Sequence, residues 1–544
     1  MSASHFQPQN ACLRTLQIPE LYQMIFSLIE KRHHVKLLHT SRSAFALMLP
    51  VIWEEVDFRD ILLLIPGVTV TLGEPSSSTA PEYIFNLPPV IDLSRVKVYS
   101  PAVKTLTTTC PYTVNIPHKA LKSMTQAGLR PMLPNLQRLL INICSIVRRE
   151  HFTWIPLVLH SGLLSLEMYM LMGGYAENVH EKHAWLDRDI CFGLIDQLSR
   201  TCPQLETLRL FPREHVKYSQ KVKRTSISIR VIDLIDQISS FKSGKSVTRW
   251  RVPFQILGGF THLRSLTFSG TMVRQPLFVA LGRLPRLETL SLRADESQFQ
   301  VDDENSANIP EDSFPSLQHL DLYQLNEYAI SRICNIAPLF RHLISVSIIF
   351  KGKPSYFGTH FSDRINRSEV AVACLGVNSP HVERLTILPY GFCLSEFTLS
   401  WSTIEKFRRM PLRYLRAGVI KLGPNDSLSF DFGAPQIDRS PRWEDFLTAV
   451  PQLEELRMDS KHVSLDELRL LGSYLPRLRL LVFWQVDLRQ AVPPPETSNA
   501  AQPVTLRSWS YFGANIIGQF RYSFWVACIP SVESTICNAA RFVY

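Results

Sequence analysis

The chain has 544 residues, 45% of them hydrophobic, and a mean hydropathy near zero, which allows a sizeable core and more than one domain and excludes a largely disordered polymer. Its apolar runs, such as Ile61 to Ile65 before the Pro66-Gly67 break and Phe524 to Ile529, fall far short of the roughly 20 residues a membrane-spanning helix needs. The net charge of +10 leaves acidic protein, nucleic acid and anionic lipid all open as partners.

The first twenty residues carry one Arg and no continuous apolar stretch, so no secretory leader is expected and the cytoplasm or nucleus is the expected compartment. From there Leu21, Ile25, Leu28 and Ile29 make one stripe at helical spacing, with Pro19 suited to the helix start. A charged turn, Glu30-Lys31-Arg32-His33-His34, leads to a second helical stretch holding Ser41, Arg42 and Phe45, and the segment closes on Leu49-Pro50-Val51-Ile52-Trp53. Glu20, Leu21, Ile25, Phe26 and Ile29, followed by Ser41, Arg42 and Phe45 and then Pro50 and Trp53, resemble an F-box. That resemblance implies a Skp-type adaptor of a cullin ubiquitin ligase as partner, held by Pro19, Leu21, Ile25, Phe26, Ile29 and Trp53. Two departures stand against the family pattern: the proline directly precedes the glutamate, and Ser41 occupies a common cysteine position. The alternative reading is a plain helical hairpin that caps a repeat array.

The divisions read along the chain are a flexible N-terminus over 1–14, the box over 15–59, and a linker and cap over 60–125. The linker contains the polar stretch from Gly73 to Ala80. The run Leu93-Ser-Arg-Val-Lys-Val-Tyr-Ser100 is also similar to large fungal F-box families that share this layout.

Beyond it one phrase recurs: an apolar residue, two variable ones, an apolar residue, one variable and an apolar residue, often introduced by proline. The clearest copies are Pro203-Gln-Leu205-Glu-Thr-Leu208-Arg-Leu210, Pro285-Arg-Leu287-Glu-Thr-Leu290-Ser-Leu292, Pro315-Ser-Leu317-Gln-His-Leu320-Asp-Leu322 and Pro451-Gln-Leu453-Glu-Glu-Leu456-Arg-Met458. Others begin at Leu136, Leu163, Leu263, Leu343, Val382, Leu412, Leu478 and Leu506, and the shorter intervals between starts run from 24 to 30 residues. Spacing and period resemble leucine-rich repeats. The asparagine or cysteine usual at the ninth position is matched by Cys144, whereas Arg213, Asp295 and Leu325 stand there in other copies, so irregular loops are expected. Alternation along a short strand turns Leu208 and Leu210 to one side and Arg209 to the other. No unit can bury its apolar side alone, so neighbours must stack. The fold class expected is α/β: an all-helical N-terminal box, then an irregular leucine-rich-repeat solenoid over 126–512 with a parallel concave sheet. Residues 513–544 form a cap or tail.

Candidate sites follow from this layout. The residue between the last two apolar positions faces outward from each strand, which gives Arg209, Thr267, Ser291, Asp321, Ser347, Thr386, Arg416 and Arg457. Arg209, Asp321, Arg416 and Arg457 are the client-binding candidates, and the arginines favour an acidic protein client. No complete catalytic motif is present: Gly244-Lys245-Ser246 lacks the first glycine of a phosphate loop, Gly173-Gly174 and Gly258-Gly259 read as turns, and His33-His34 point about 100° apart on a helix, unsuited to one metal. The basic run from Arg213 to Arg224 has no aromatic platform for nucleic acid and reads as a solvated insertion; the acidic stretch from Val301 to Asp312 reads likewise. The ten cysteines include no Cys-x-x-Cys pair and read as small buried hydrophobes. The expected function is therefore a non-enzymatic substrate-recruiting F-box subunit without cofactor or metal, bound through its adaptor to a cullin scaffold. The alternative is a leucine-rich-repeat binding scaffold with an F-box-like cap.

Overall fold

The computed structural model describes residues 18, 20, 21, 24, 28, 29, 42–72, 83–108, 112–115, 131–143, 152–170, 185–213, 256–269, 275–293, 309–325, 327–350, 367–389, 396–399, 401–422, 442–487, 505–509 and 524–528. They divide into two compact units, Met1–Leu263 and Arg264–Tyr544.

The first unit includes helix Arg42–Ile52. Parallel strands follow: β1 (Glu55–Asp57), β2 (Thr105–Thr108), β3 (Arg138–Ile143), β4 (Ser165–Met170) and β5 (Thr207–Arg209), paired in chain order. Beside them, Thr69–Leu72, Tyr83–Asn86 and Tyr112–Asn115 make a small sheet. Helix Arg188–Thr201 buries Cys191, Leu194, Ile195 and Leu198.

The second unit repeats the scheme with β6 (Ser265–Ser269), β7 (Thr289–Arg293), β8 (His319–Leu325), β9 (Ser345–Phe350), β10 (Arg384–Pro389), β11 (Tyr414–Ala417), β12 (Glu455–Ser464) and β13 (Leu480–Asp487), each parallel to the next. Helices Gln275–Gly282, Glu327–Cys334, Arg367–Asn378, Trp401–Phe407, Trp443–Ala449 and Leu465–Tyr474 lie in the connections. Chain-order parallel pairing with helical crossovers, at the spacing of the recurring phrase, is the architecture of a leucine-rich-repeat array.

The phrase explains the geometry. Its first apolar residue, from Leu136 through Leu478, is at most 3% exposed in each copy. The next apolar residues stack strand upon strand: Leu266, Leu290, Leu320, Val346, Leu385, Leu415, Leu456 and Leu481 are successive register partners. One backbone device recurs at each step. The carbonyl just after the first apolar residue accepts two N–H groups from the following unit: Arg264 O from Glu288 and Thr289, Glu288 O from Gln318 and His319, Gln318 O from Ile344 and Ser345. These bonds measure 2.8 to 3.0 Å. This staircase satisfies backbone groups at the strand starts that burial would otherwise leave costly.

The ladder extends further toward the N-terminus than the phrases do. Glu54 O accepts from Lys104 and Thr105, and Lys104 O from Gln137 and Arg138, so Trp53-Glu-Glu-Val56-Asp-Phe58 and Val103-Lys-Thr-Leu106-Thr-Thr108 are rungs too. The first of them lies inside the stretch read as the box. The second escapes a search for apolar residues because Thr108 fills the last position, where it is 2% exposed and its hydroxyl accepts from Asn142 N at 3.0 Å.

At the other end the phrase at Leu506 forms β14 (Thr505–Trp509), but it is no further parallel unit. A strand from the stretch read as cap or tail, β15 (Phe524–Cys528), pairs antiparallel with both β13 and β14. Such closure covers a parallel edge that would otherwise stay open to pairing.

Candidate binding face of the strands

Residues on either side of the stacked apolar positions point away from the core, so each unit carries parallel rows of outward side chains. The row read from sequence is in register. In the second unit it runs Thr267, Ser291, Asp321, Ser347, Thr386, Arg416, Arg457 and Val482. In the first unit the sequence names Arg209, and register extends its row back through Glu167, Leu140, Thr107 and Asp57. Asp321, Arg416 and Arg457 therefore share a face, and Arg209 is treated with its own unit.

In the first unit Arg209 is built into an aromatic and acidic setting. Its guanidinium lies 4.2 Å from the Tyr169 ring centre and 5.8 Å from that of Phe211, distances at which a cation is held by a ring face. Glu167 accepts from the Ser165 hydroxyl at 2.9 Å and from the Tyr169 hydroxyl, with Arg138 3.9 Å away. Burial, reinforced by Glu167, pushes the Tyr169 phenol up to about 12, so it acts as a donor at neutral pH.

The second unit holds two clusters. In one, Arg293 stands 4.9 Å over the Tyr323 ring and donates from Nε to the Ser291 hydroxyl at 3.3 Å. Beside them burial raises the Asp321 carboxyl above its ordinary range, against the opposing pull of Arg293 and His319. In the other, Tyr414 lies between two guanidiniums, Arg384 at 4.8 Å and Arg457 at 5.7 Å. Arg416 follows Tyr414 by two residues on the same strand face and is the register partner of Arg457. Glu455 reaches Arg457 at 3.6 Å.

The row at the strand entrances is different. There Glu383, Arg413, Glu454 and Arg479 alternate in sign with contacts of 3.8 to 3.9 Å, and Arg264 meets Glu288 at 3.3 Å. Exposed pairs of this kind contribute little individually, but they balance that row's charge. The neighbouring face brings together Arg384, Arg416 and Arg457, with Glu455 at 3.6 Å from Arg457. It can hold carboxylates through bidentate guanidinium contacts and stack apolar or aromatic groups on Tyr414 and Tyr323.

Sequence reasoning named Arg209, Asp321, Arg416 and Arg457 and did not name Tyr169, Arg293, Tyr323, Arg384 and Tyr414, which lie beside them. Tyr169, Arg293 and Tyr323 follow the chosen row by two residues and Arg384 and Tyr414 precede it by two, so carrying the strand alternation one step each way from every phrase reaches all five.

For the box, Pro19, Ile25, Phe26, Ser41 and His33-His34 lie outside the described residues. Leu21 and Ile29 are half-buried. Met24 and Leu28 are 57% and 83% exposed. Trp53, half-buried, packs its ring 4.4 Å from Tyr99, and Phe45 meets the same tyrosine edge-on at 6.2 Å. These contacts tie helix Arg42–Ile52 to the start of the array. Gly244-Lys245-Ser246, Gly173-Gly174, Cys144, most of the basic run and all but the end of the acidic stretch also lie outside the described residues, whereas Gly258-Gly259 lies in a turn. Among the described residues no group of three or more His, Cys, Asp or Glu could hold a metal ion, and no helix is long and apolar enough to cross a membrane.

No family model matches the chain, and no curated protein matches it. Among solved structures it is similar to an internalin of Listeria monocytogenes, at 11% identity and a TM-score of 0.31 over 75% of this chain and 82% of that one. It is similar to the Rad7 and Elc1 complex of yeast at 12% identity and 0.29, over 79% and 94%. A TLR13 complex with ssRNA13 overlaps at 13% identity and 0.26, over 71% and 50%. Overlaps this loose carry no argument, and the repeat architecture rests on the ladder's own register.

Proposed function

We propose that this chain is a non-catalytic recruiting subunit of a Skp-cullin-F-box ubiquitin ligase: the N-terminal box takes the adaptor and the strand face of the repeats takes a protein client. The observation that carries the client half is the in-register face of arginines and tyrosines, an assembly of the side chains that dominate binding hot spots. The guanidiniums of Arg384, Arg416 and Arg457 gathered on that face favour an acidic segment. The adaptor half rests on the F-box resemblance. Trp53 then supports the adaptor contact by anchoring helix Arg42–Ile52 on Tyr99. Chemistry on the client would belong to other subunits, with this chain supplying proximity.

A second reading, a repeat scaffold with an F-box-like cap, is favoured by that same Trp53–Tyr99 contact, since a capping helix needs it equally.

The client half is tested with a fluorescein-labelled octaglutamate peptide titrated into the full chain by anisotropy. Arg416→Gln with Arg457→Gln is expected to weaken binding about tenfold, equivalent to about 1.4 kcal/mol. Arg477→Gln with Arg479→Gln, which removes the same charge outside the face, is expected to change it little. Equal effects of the two pairs would reduce the attraction to net charge and overturn the assignment of the face.

A further inference from the structure

We propose that Cys334 and Cys374 form a dithiol that hydrogen peroxide converts into a disulfide joining two helices that pack on one another in the array. Cys334 ends helix Glu327–Cys334 and is fully buried. Cys374 lies within helix Arg367–Asn378 and is partly exposed, so a small oxidant can reach it first.

The two helices pack directly on one another. Asn378, one turn beyond Cys374 and therefore on the same helix face, donates from Nδ2 to the Cys334 carbonyl at 3.3 Å. That bond sets the Cys374 side of the second helix over the end of the first. Each of the two thiols perturbs the other's titration. The neighbouring Cys334 thiol brings Cys374 down to about 7, while Cys374 and burial hold Cys334 well above the ordinary thiol range. Cys202, by contrast, is buried and raised by desolvation.

The division of roles is that of an attacking and a resolving cysteine. The Cys374 thiolate attacks one oxygen of hydrogen peroxide; the S–O bond forms, the O–O bond breaks, and hydroxide leaves and takes up a proton as water. Sulfur has lost two electrons to peroxide and is now a sulfenic acid. Cys334 then attacks that sulfur, its thiol proton leaves with the departing oxygen as a second water, and the S–S bond closes. The sum is dithiol plus peroxide giving disulfide plus two waters. A thiol reductant reverses it by exchange. Forty residues of sequence separation hid the pair from any spacing motif.

The test uses the full chain, treated with a small molar excess of hydrogen peroxide, blocked with N-ethylmaleimide and mapped by mass spectrometry. The expected product is one linked peptide pair containing Cys334 and Cys374, two hydrogens lighter than the reduced peptides and restored by dithiothreitol. Cys334→Ser is expected to strand Cys374 as a sulfenic acid that dimedone traps. On unoxidised protein at pH 7, alkylation of Cys374 is expected to outrun that of Cys202 by about tenfold or more. Two fully alkylated thiols after peroxide, or linkage of either cysteine to a different partner, would overturn the proposal from the wild-type map alone, whether or not the variant folds.

Discussion

Arg416 and Arg457 stand opposite each other on adjacent parallel strands, two like charges at one rung with Glu455 the carboxylate that reaches Arg457. Directly opposed like charges destabilise a strand pair, while the strand-entrance row a few ångströms away alternates in sign. Replacing Arg416 with Gln should leave the urea midpoint unchanged or raise stability by up to about 0.5 kcal/mol. Added sodium chloride should stabilise the wild type more than Arg416→Gln, because screening acts on the repulsion that the variant lacks. A variant clearly less stable than wild type at every salt concentration would show that Arg416 is a structural side chain.

Two helical glycines predict opposite outcomes. A Cβ on Gly376 would lie 3.1 Å from both the Cα and the carbonyl oxygen of Lys406 on the neighbouring helix, whereas one on Gly472 meets nothing within 4 Å. Gly376→Ala is therefore expected to destabilise by roughly 1 to 3 kcal/mol through overpacking. Gly472→Ala is expected to stabilise by roughly 0.5 to 1 kcal/mol, because alanine suits a helix and restricts the unfolded chain. Denaturant melts of the two variants check both signs.

Asp321 gives a pH dependence. Burial raises its carboxyl above the ordinary 3.8, so the folded state favours the protonated form, and the stability this group contributes is present below pH 3.8 and lost as pH rises through the folded value. Asp321→Asn should therefore be at least as stable as wild type at pH 7, with the difference shrinking as pH falls toward 3.8. A variant that loses stability at pH 7 would mean that the ionised carboxylate is held by Arg293 and His319 strongly enough to outweigh its desolvation.

The repeat was legible because its cause is local: a buried apolar residue at three fixed positions writes itself directly into the chain, and the phrases at Leu287 and Leu317 needed only counting. The rungs at Trp53 and Val103 were less legible. Thr108 shows why, since a hydroxyl paired with Asn142 can fill a core position that pattern searches reserve for hydrocarbon. The pairing direction of β14 was not legible at all, because a strand phrase carries no record of which neighbour it will meet. The outward face was read one row deep, which found Arg416 and missed Tyr414, although both follow from the same two-residue alternation. The Cys334–Cys374 contact depends on how two helices in successive units pack, and nothing in the spacing of those cysteines encodes it.

The most direct test of the recruiting-subunit account is the affinity of the full-length chain for a purified Skp-type adaptor, measured by biolayer interferometry alongside Ile25→Asp and the double variant Arg416→Gln, Arg457→Gln. The account predicts binding by the wild type, unchanged binding by the arginine variant, and a loss of at least tenfold for Ile25→Asp, the order expected when a large apolar contact of about 1.5 to 3 kcal/mol is removed. Absence of binding by folded wild-type protein, or equal binding by a folded Ile25→Asp, would contradict it and leave a repeat scaffold with a helical cap.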